Sequence, residues 1–193
     1  MIIGITGGTG CGKTTLLNMI HDQGGVVFDC DAIYHELLLS DPNMLSAIES
    51  RFPGTVENGV LQRKKLGNLV FTDEKALLDL NKITHGAVKA ELLRRLEEKP
   101  ALAAIDAIGL FEGGLAPLCD VTVAVTAPKE ARIARLMLRD GISAEYAEAR
   151  VNAQHTDDWF RERCDYTLVN DSEIDAFATK CLAFLRQIGI IET

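Results

Sequence analysis

Apolar positions in this chain keep two rhythms. Met1 to Thr6, Val26 to Phe28, Ala101 to Ile105, Val121 to Val125 and Asp165 to Asn170 hold short continuous apolar runs of strand length. Such runs fit strands buried on both faces of a parallel sheet. Between them the apolar residues recur every three or four positions, which predicts helices. Leu16, Leu17 and Ile20 share a face directly after the first run. A helical segment from Ala32 to about Arg51 breaks at Asp41-Pro42 and closes at Arg51-Phe52-Pro53-Gly54. Residues 61 to 71 read as a helical piece with a basic end, Arg63, Lys64 and Lys65. Leu77, Leu80, Ile83, Ala87, Val88, Leu92 and Leu96 predict a long helix from Asp73 to about Glu98, ended by Pro100. Further helices run from Lys129 to about Arg139, from a Ser143 cap onward, and through Ile174, Phe177, Cys181, Leu185 and Ile188. Strands alternating with helices predict an α/β domain with helices on both sides of a parallel sheet.

The turn after the first run carries the chemistry. Gly7-Gly8-Thr9-Gly10-Cys11-Gly12-Lys13-Thr14 matches G-x-x-x-x-G-K-[ST] without a mismatch, with a strand before it and a helix after it. Glycines let the backbone curl so that successive N–H groups face phosphate oxygens, and the following helix adds its positive dipole end. Gly10, Cys11, Gly12, Lys13, Thr14 and Thr15 are therefore candidate contacts to a nucleoside triphosphate, and ATP with Mg²⁺ is the expected pair. Lys13 would place its charge on the β and γ phosphates, and the Thr14 hydroxyl would ligate the Mg²⁺.

Carboxylates follow at strand ends, where open α/β sheets bind ligands. Asp29 and Asp31 close the second run, and Asp106 closes the third and is a second candidate metal ligand. Asp31 suits a base beside an acceptor hydroxyl, or else a cap for a helix beginning at Ala32. Arg132, Arg135 and Arg139 recur at i, i+3 and i+7, either as positive charge on a closing lid or as a solvated face paired with Glu130. A short chain, an acidic tip on the second strand and late arginines favour a small-molecule kinase over a GTPase switch or motor; no N-K-x-D guanine-reading motif is present.

Bulk numbers narrow the class. With 193 residues the chain fits one domain with a substantial core. Its net charge of −8 argues against broad nucleic-acid or anionic-membrane binding, and no apolar run approaches membrane-spanning length. A cytoplasmic protein is expected, monomeric or weakly homo-oligomeric. Five scattered cysteines without a C-x-x-C pair point to reduced core or loop residues, not a zinc site.

Taken together, these segments resemble the dephospho-CoA kinase family over nearly the whole chain. Ile5 to Thr15 is similar to that family's LTGGIGSGKST, and Val27-Phe28-Asp29-Cys30-Asp31 to V-I-D-A-D. Leu61 to Leu66 with Val70-Phe71 resembles L-D-R-x-x-L…V-F, and Leu80 to His85 resembles L-x-x-I-x-H-P. Ile105-Asp106 to Phe111-Glu112 is similar to D-I-P-L-L-F-E, Arg135 to Asp140 to R-x-x-x-R-D, and Asp165 to Asn170 to A-D-x-V-I-x-N. The resemblance implies transfer of the ATP γ-phosphate to the ribose 3′-hydroxyl of dephospho-CoA, with Asp31 as base, Lys13 on the phosphates and Arg139 as a lid arginine. It also implies a three-layer P-loop fold, an acceptor-binding helical lobe at about 31–98, and a helical lid at about 129–163. Arg63, His85 and Lys89 would then touch the acceptor; His85 is equally a candidate structural residue. Gly86 stands where the family has proline, Ile108-Gly109 replace Pro-Leu, and Cys164 replaces an alanine. A kinase of a nucleoside, nucleotide or sugar acid is the rival reading, and a nucleotide-dependent switch a more distant one.

Overall fold

The computed structural model describes residues 1–171 and 173–192; Ser172, Thr193 and the side chain of Ile174 lie outside the described residues. In chain order the strands are β1 (Ile2–Thr6), β2 (Val26–Asp29), β3 (Val56–Glu57), β4 (Val60–Leu61), β5 (Ala103–Asp106), β6 (Val121–Thr126) and β7 (Tyr166–Val169). The helices are α1 (Lys13–Asp22), α2 (Cys30–Ser40), α3 (Pro42–Arg51), α4 (Arg63–Val70), α5 (Glu74–Leu96), α6 (Lys129–Asp140), α7 (Ala144–Asn152), α8 (Asp157–Arg161) and α9 (Ile174–Gln187).

The five apolar runs are the five strands of one sheet, ordered β2-β5-β1-β6-β7. β1 pairs in parallel with both β5 and β6, and β6 with β7. Ile3 and Ile5 of β1 and Val123 and Val125 of β6 join Leu16 and Ile20 of α1 and Phe177, Cys181 and Leu185 of α9 in one buried cluster. Alternate positions of a buried strand thus supply one core face, and the helical period of α1 and α9 supplies its cover. Parallel pairing brings the strands' carboxyl ends to a common edge: Ile5 lies opposite Asp106, so the Asp106 carboxyl group stands beside the entry to the glycine turn. These elements belong to a compact unit formed by Met1–Phe28, Pro100–Leu110 and Ala116–Thr193.

The second unit, Asp29–Lys99 with Phe111–Leu115, is helical. α2, α3 and α4 each pack on α5. The buried positions of α5 are Ala76, Thr84, Val88 and Leu92, a narrower stripe than the leucine row suggests. Leu77, expected inside, is 39% exposed, because short helices cover only one side of α5. Aspartates start three of these helices. Asp29 accepts from the N–H groups of Asp31 and Ala32, Asp41 from those of Asn43 and Met44, and Asp73 from that of Ala76. Between α3 and α4 lies an antiparallel pair that the apolar pattern does not reveal, β3 and β4. Its turn holds Asn58 at φ 51° and Gly59 at φ 75°, the two positive angles that an Asn-Gly hairpin turn requires.

Gly86 lies within continuous α5, where an added Cβ would meet nothing within 4 Å, so the missing proline leaves the helix unbroken. The turn after β5 is pinned differently: the buried Thr6 hydroxyl donates to the Ile108 carbonyl at 3.0 Å. Ser143 caps α7 as expected, accepting from the Tyr146 N–H. Among the described residues no helix is long and apolar enough to cross a membrane.

Candidate active site

The glycine turn joins β1 to α1, and its shape follows from Gly12, whose φ of +98° is left-handed. A Cβ there would fall 2.3 Å from Asn170 Nδ2, so the position excludes a side chain on two grounds. Gly12 is also the residue preceding α1, and it offers no side chain to cap the helix. Among the described residues the N–H groups of Gly10, Gly12 and Thr14 donate to no protein acceptor, while that of Lys13 bonds the buried Cys11 sulfur. Three unclaimed backbone donors at a positive helix end are a cradle for an anion. The amides of Cys11 and Thr15, also expected to contact phosphate, close turns within the loop, to Gly8 O at 3.3 Å and Gly12 O at 3.2 Å. The Cys11 side chain points into the core, and burial pushes its thiol up from the ordinary value, so it contributes packing.

Lys13 Nζ donates to Gly7 O at 3.1 Å and lies 3.8 Å from Asp106 Oδ1. Its ammonium group is thus held at the loop's mouth between a carbonyl and a carboxylate. Both oxygens expected at a metal, the Thr14 hydroxyl and the Asp106 carboxylate, are hard donors of the kind Mg²⁺ prefers. Among the described residues no group of three or more His, Cys, Asp or Glu side chains could hold a metal ion. Protein oxygens this few fit an ion that takes its remaining ligands from water and nucleotide phosphates.

The arginine row of α6 divides. Arg132, 4% exposed, is not on a solvated face and does not pair with Glu130; its Nε donates to Thr9 O at 2.9 Å. Arg135 Nη1 donates to Gly10 O at 3.1 Å, and its Nη2 to Asn170 Oδ1 at 3.3 Å. Asn170 Nδ2 in turn donates to Cys11 O at 2.9 Å. Arg139 alone is exposed, and it forks onto its neighbour Asp140 at 2.6 and 3.0 Å. That hydrogen bonding, with a further one from Arg150, pulls the Asp140 carboxyl group down to about 2. Gln154 and Asn170, 145 and 159 residues from their loop partners, have no signal in the sequence that would have found them as loop contacts.

The remaining candidates lie in the helical unit. Asp31 is exposed in the first turn of α2. It is not a helix cap: α2 begins at Cys30, two residues before the expected Ala32, and Asp29 does the capping. Arg63 opens α4 and lies 3.5 Å from His35 Nδ1, one turn of α2 beyond Asp31. Burial raises the pKa of the adjacent Tyr34, and the Arg63 charge opposes that rise. His35, exposed beside Arg63, is a further site candidate, with no motif in the sequence to mark it. His85 and Lys89 share a face of α5 one turn apart, and Lys89 Nζ donates to Gly114 O at 2.9 Å.

A parallel sheet whose first turn is an amide cradle, with a lysine and an acid at its mouth and arginines supporting it, defines a P-loop kinase. Among solved structures, a Thermus thermophilus protein described as TT1252 matches with a TM-score of 0.81 and 32% identity, over 97% of each chain. Dephospho-CoA kinase from Campylobacter jejuni matches with a TM-score of 0.67 and 25% identity, over 97% of this chain and 96% of that one. Shikimate kinase from Acinetobacter baumannii, at 19% identity and a TM-score of 0.52, shares the fold. Residues 1–176 match the family model described as dephospho-CoA kinase. The dephospho-CoA kinase of Syntrophotalea carbinolica is 32% identical over 97% of this chain and 92% of its own length. That of Bacillus thuringiensis is 34% identical over 100% and 99%. The chain belongs to the dephospho-CoA kinase family.

Proposed function

We propose that this protein transfers the γ-phosphoryl group of ATP to the ribose 3′-hydroxyl of dephospho-coenzyme A, giving coenzyme A and ADP, the last step of coenzyme A biosynthesis. The observation that carries the donor half is the uncapped start of α1, three unclaimed amides with the Lys13 ammonium group beside them. Phosphoryl transfer asks the protein for position and positive charge more than for covalent chemistry. Lys13 would leave Gly7 O for the β and γ phosphates and hold the charge that grows as the bond to the leaving oxygen breaks. Asp31 takes the proton of the 3′-hydroxyl as its oxygen bonds to phosphorus. Arg63, His85 and Lys89 bind the acceptor, Lys89 by sharing or exchanging its bond to Gly114, and Arg139 reaches the phosphates by exchanging Asp140 for them. Thr14 and Asp106 would hold Mg²⁺, which supplies neutralising charge on the phosphate oxygens. The acidic net charge of −8 suits small-molecule partners and no nucleic acid, in a cytoplasmic protein that is monomeric or weakly homo-oligomeric.

The test is incubation with ATP, Mg²⁺ and one acceptor at a time, read by product mass. Dephospho-CoA should gain one phosphoryl group, whereas nucleoside monophosphates and gluconate should not. Preferential phosphorylation of either of the latter would overturn the reading.

A further inference from the structure

The buried arginine under the glycine turn does more than fill space. One residue at the turn's tip, Thr9, is gripped at both of its main-chain polar groups, which belong to the two peptides that flank it. Its N–H donates to Gln154 Oε1 at 2.8 Å, and its carbonyl accepts from Arg132 Nε at 2.9 Å. The two gripping side chains bond to each other, Arg132 Nη2 donating to the same Gln154 oxygen at 2.9 Å. Arg132 Nη1 lies 3.5 Å from Asp157 Oδ1, which ties the guanidinium to the start of α8. Gly8 makes room for the arrangement, since a Cβ there would fall 2.0 Å from Arg132 Nη2. Thr9 and Arg132 are buried, so these bonds are poorly replaced by water, and losing an acceptor leaves donors stranded.

From this we infer that Arg132 and Gln154 are positioning residues: together they clamp the tip of the phosphate cradle in its nucleotide-binding shape before the nucleotide arrives. The clamp touches neither Lys13 nor the three unclaimed amides. It acts by removing the disorder that binding would otherwise have to remove. The inference rests on the donor half of the proposed function and is independent of the acceptor.

The experiment is calorimetric titration of the full chain with ATP and Mg²⁺ in the absence of any acceptor, beside a nucleotide-free melting curve for each variant. Gln154→Leu keeps the length of the side chain and removes its acceptor, so its Kd for ATP should rise about tenfold. Gln154→Glu keeps an oxygen for both Thr9 and Arg132, and its Kd should stay within about twofold of the parent. Arg132→Lys keeps the charge but cannot fork, and should weaken ATP as the Leu variant does. A ratio of the Leu to the Glu Kd of three or more supports the clamp; a smaller ratio overturns it, whatever the melting temperatures do. Should the Leu variant fail to fold, Gln154→Asn, which draws the amide back by one methylene, replaces it under the same criterion. A parent protein that binds no ATP would overturn clamp and kinase together, while one that binds ATP but phosphorylates no dephospho-CoA would overturn only the latter.

Discussion

In the sheet-based unit the charged groups that line the glycine turn are buried or half-buried and bonded to backbone, Arg132 to Thr9, Arg135 to Gly10 and Lys13 to Gly7, and only the more distant Arg139 of the α6 row is exposed. In the helical unit the candidates stand on helix surfaces, Asp31 exposed at the start of α2 and Arg63 beside an exposed histidine at the start of α4. The contrast tracks what each ligand demands. A triphosphate presents a compact, uniform charge, so a rigid cradle can be complete before it arrives, and interior hydrogen bonds hold that shape more strongly than surface ones. An acceptor with a long flexible arm offers scattered contacts, which side chains on helix surfaces can meet one at a time.

The hardest test of this contrast is on the cradle side. Lys13→Ala removes the charge that grows in importance as the transferred group loosens, so kcat should fall by roughly a thousandfold while ATP affinity falls much less. Rapid-quench turnover beside equilibrium ATP binding checks it; equal losses in both would make Lys13 a ground-state contact. On the helical side the expected loss is smaller and falls in one place. With Asp31 as the proposed base, Asp31→Asn should lower kcat by roughly a hundredfold and leave the ATP Kd within twofold, because a base serves the acceptor alone. An unchanged kcat would strip Asp31 of the role of base, and capping would not replace it, since Asp29 already caps α2.

How much of this was legible beforehand depends on the distance over which each feature is specified. The cradle was readable because its determinants are local: strand, Gly7 to Thr14, and helix lie within one short stretch. The five strands were readable because burial on both faces leaves unbroken apolar runs. The hairpin was missed although Asn58-Gly59 announces its turn, because strands of two residues have no run to display. α8 was missed for the same reason, being five residues long. The arginines of α6 were found by spacing, but the sequence could not say which was buried; that depends on Gln154 and Asn170, which only the folded topology brings to the loop. Leu77 misled because a leucine at helical spacing signals an apolar face without saying how far the neighbours extend to cover it.

The smallest expected effect concerns the ion pairs of the helical unit. Glu91 accepts from Arg94 at 2.8 Å and from Arg95 at 2.8 Å, and those bonds bring its carboxyl group down to about 2 from an ordinary 4.5. A carboxylate whose pKa is lower folded than unfolded contributes stability above the unfolded value and loses it as pH falls towards the folded one. The Glu91→Gln variant lacks that contribution at every pH. Its melting temperature should therefore lie slightly below the parent's at pH 6, and the gap should narrow from about pH 4.5 and close by about pH 2. Between pH 6 and pH 8 the gap should be constant, since Glu91 is fully ionised in both states there. A gap that changed across that neutral range would mean that the substitution perturbs more than this surface ion pair, and Glu91 would no longer count as one of the independent contacts that distinguish the helical unit from the cradle.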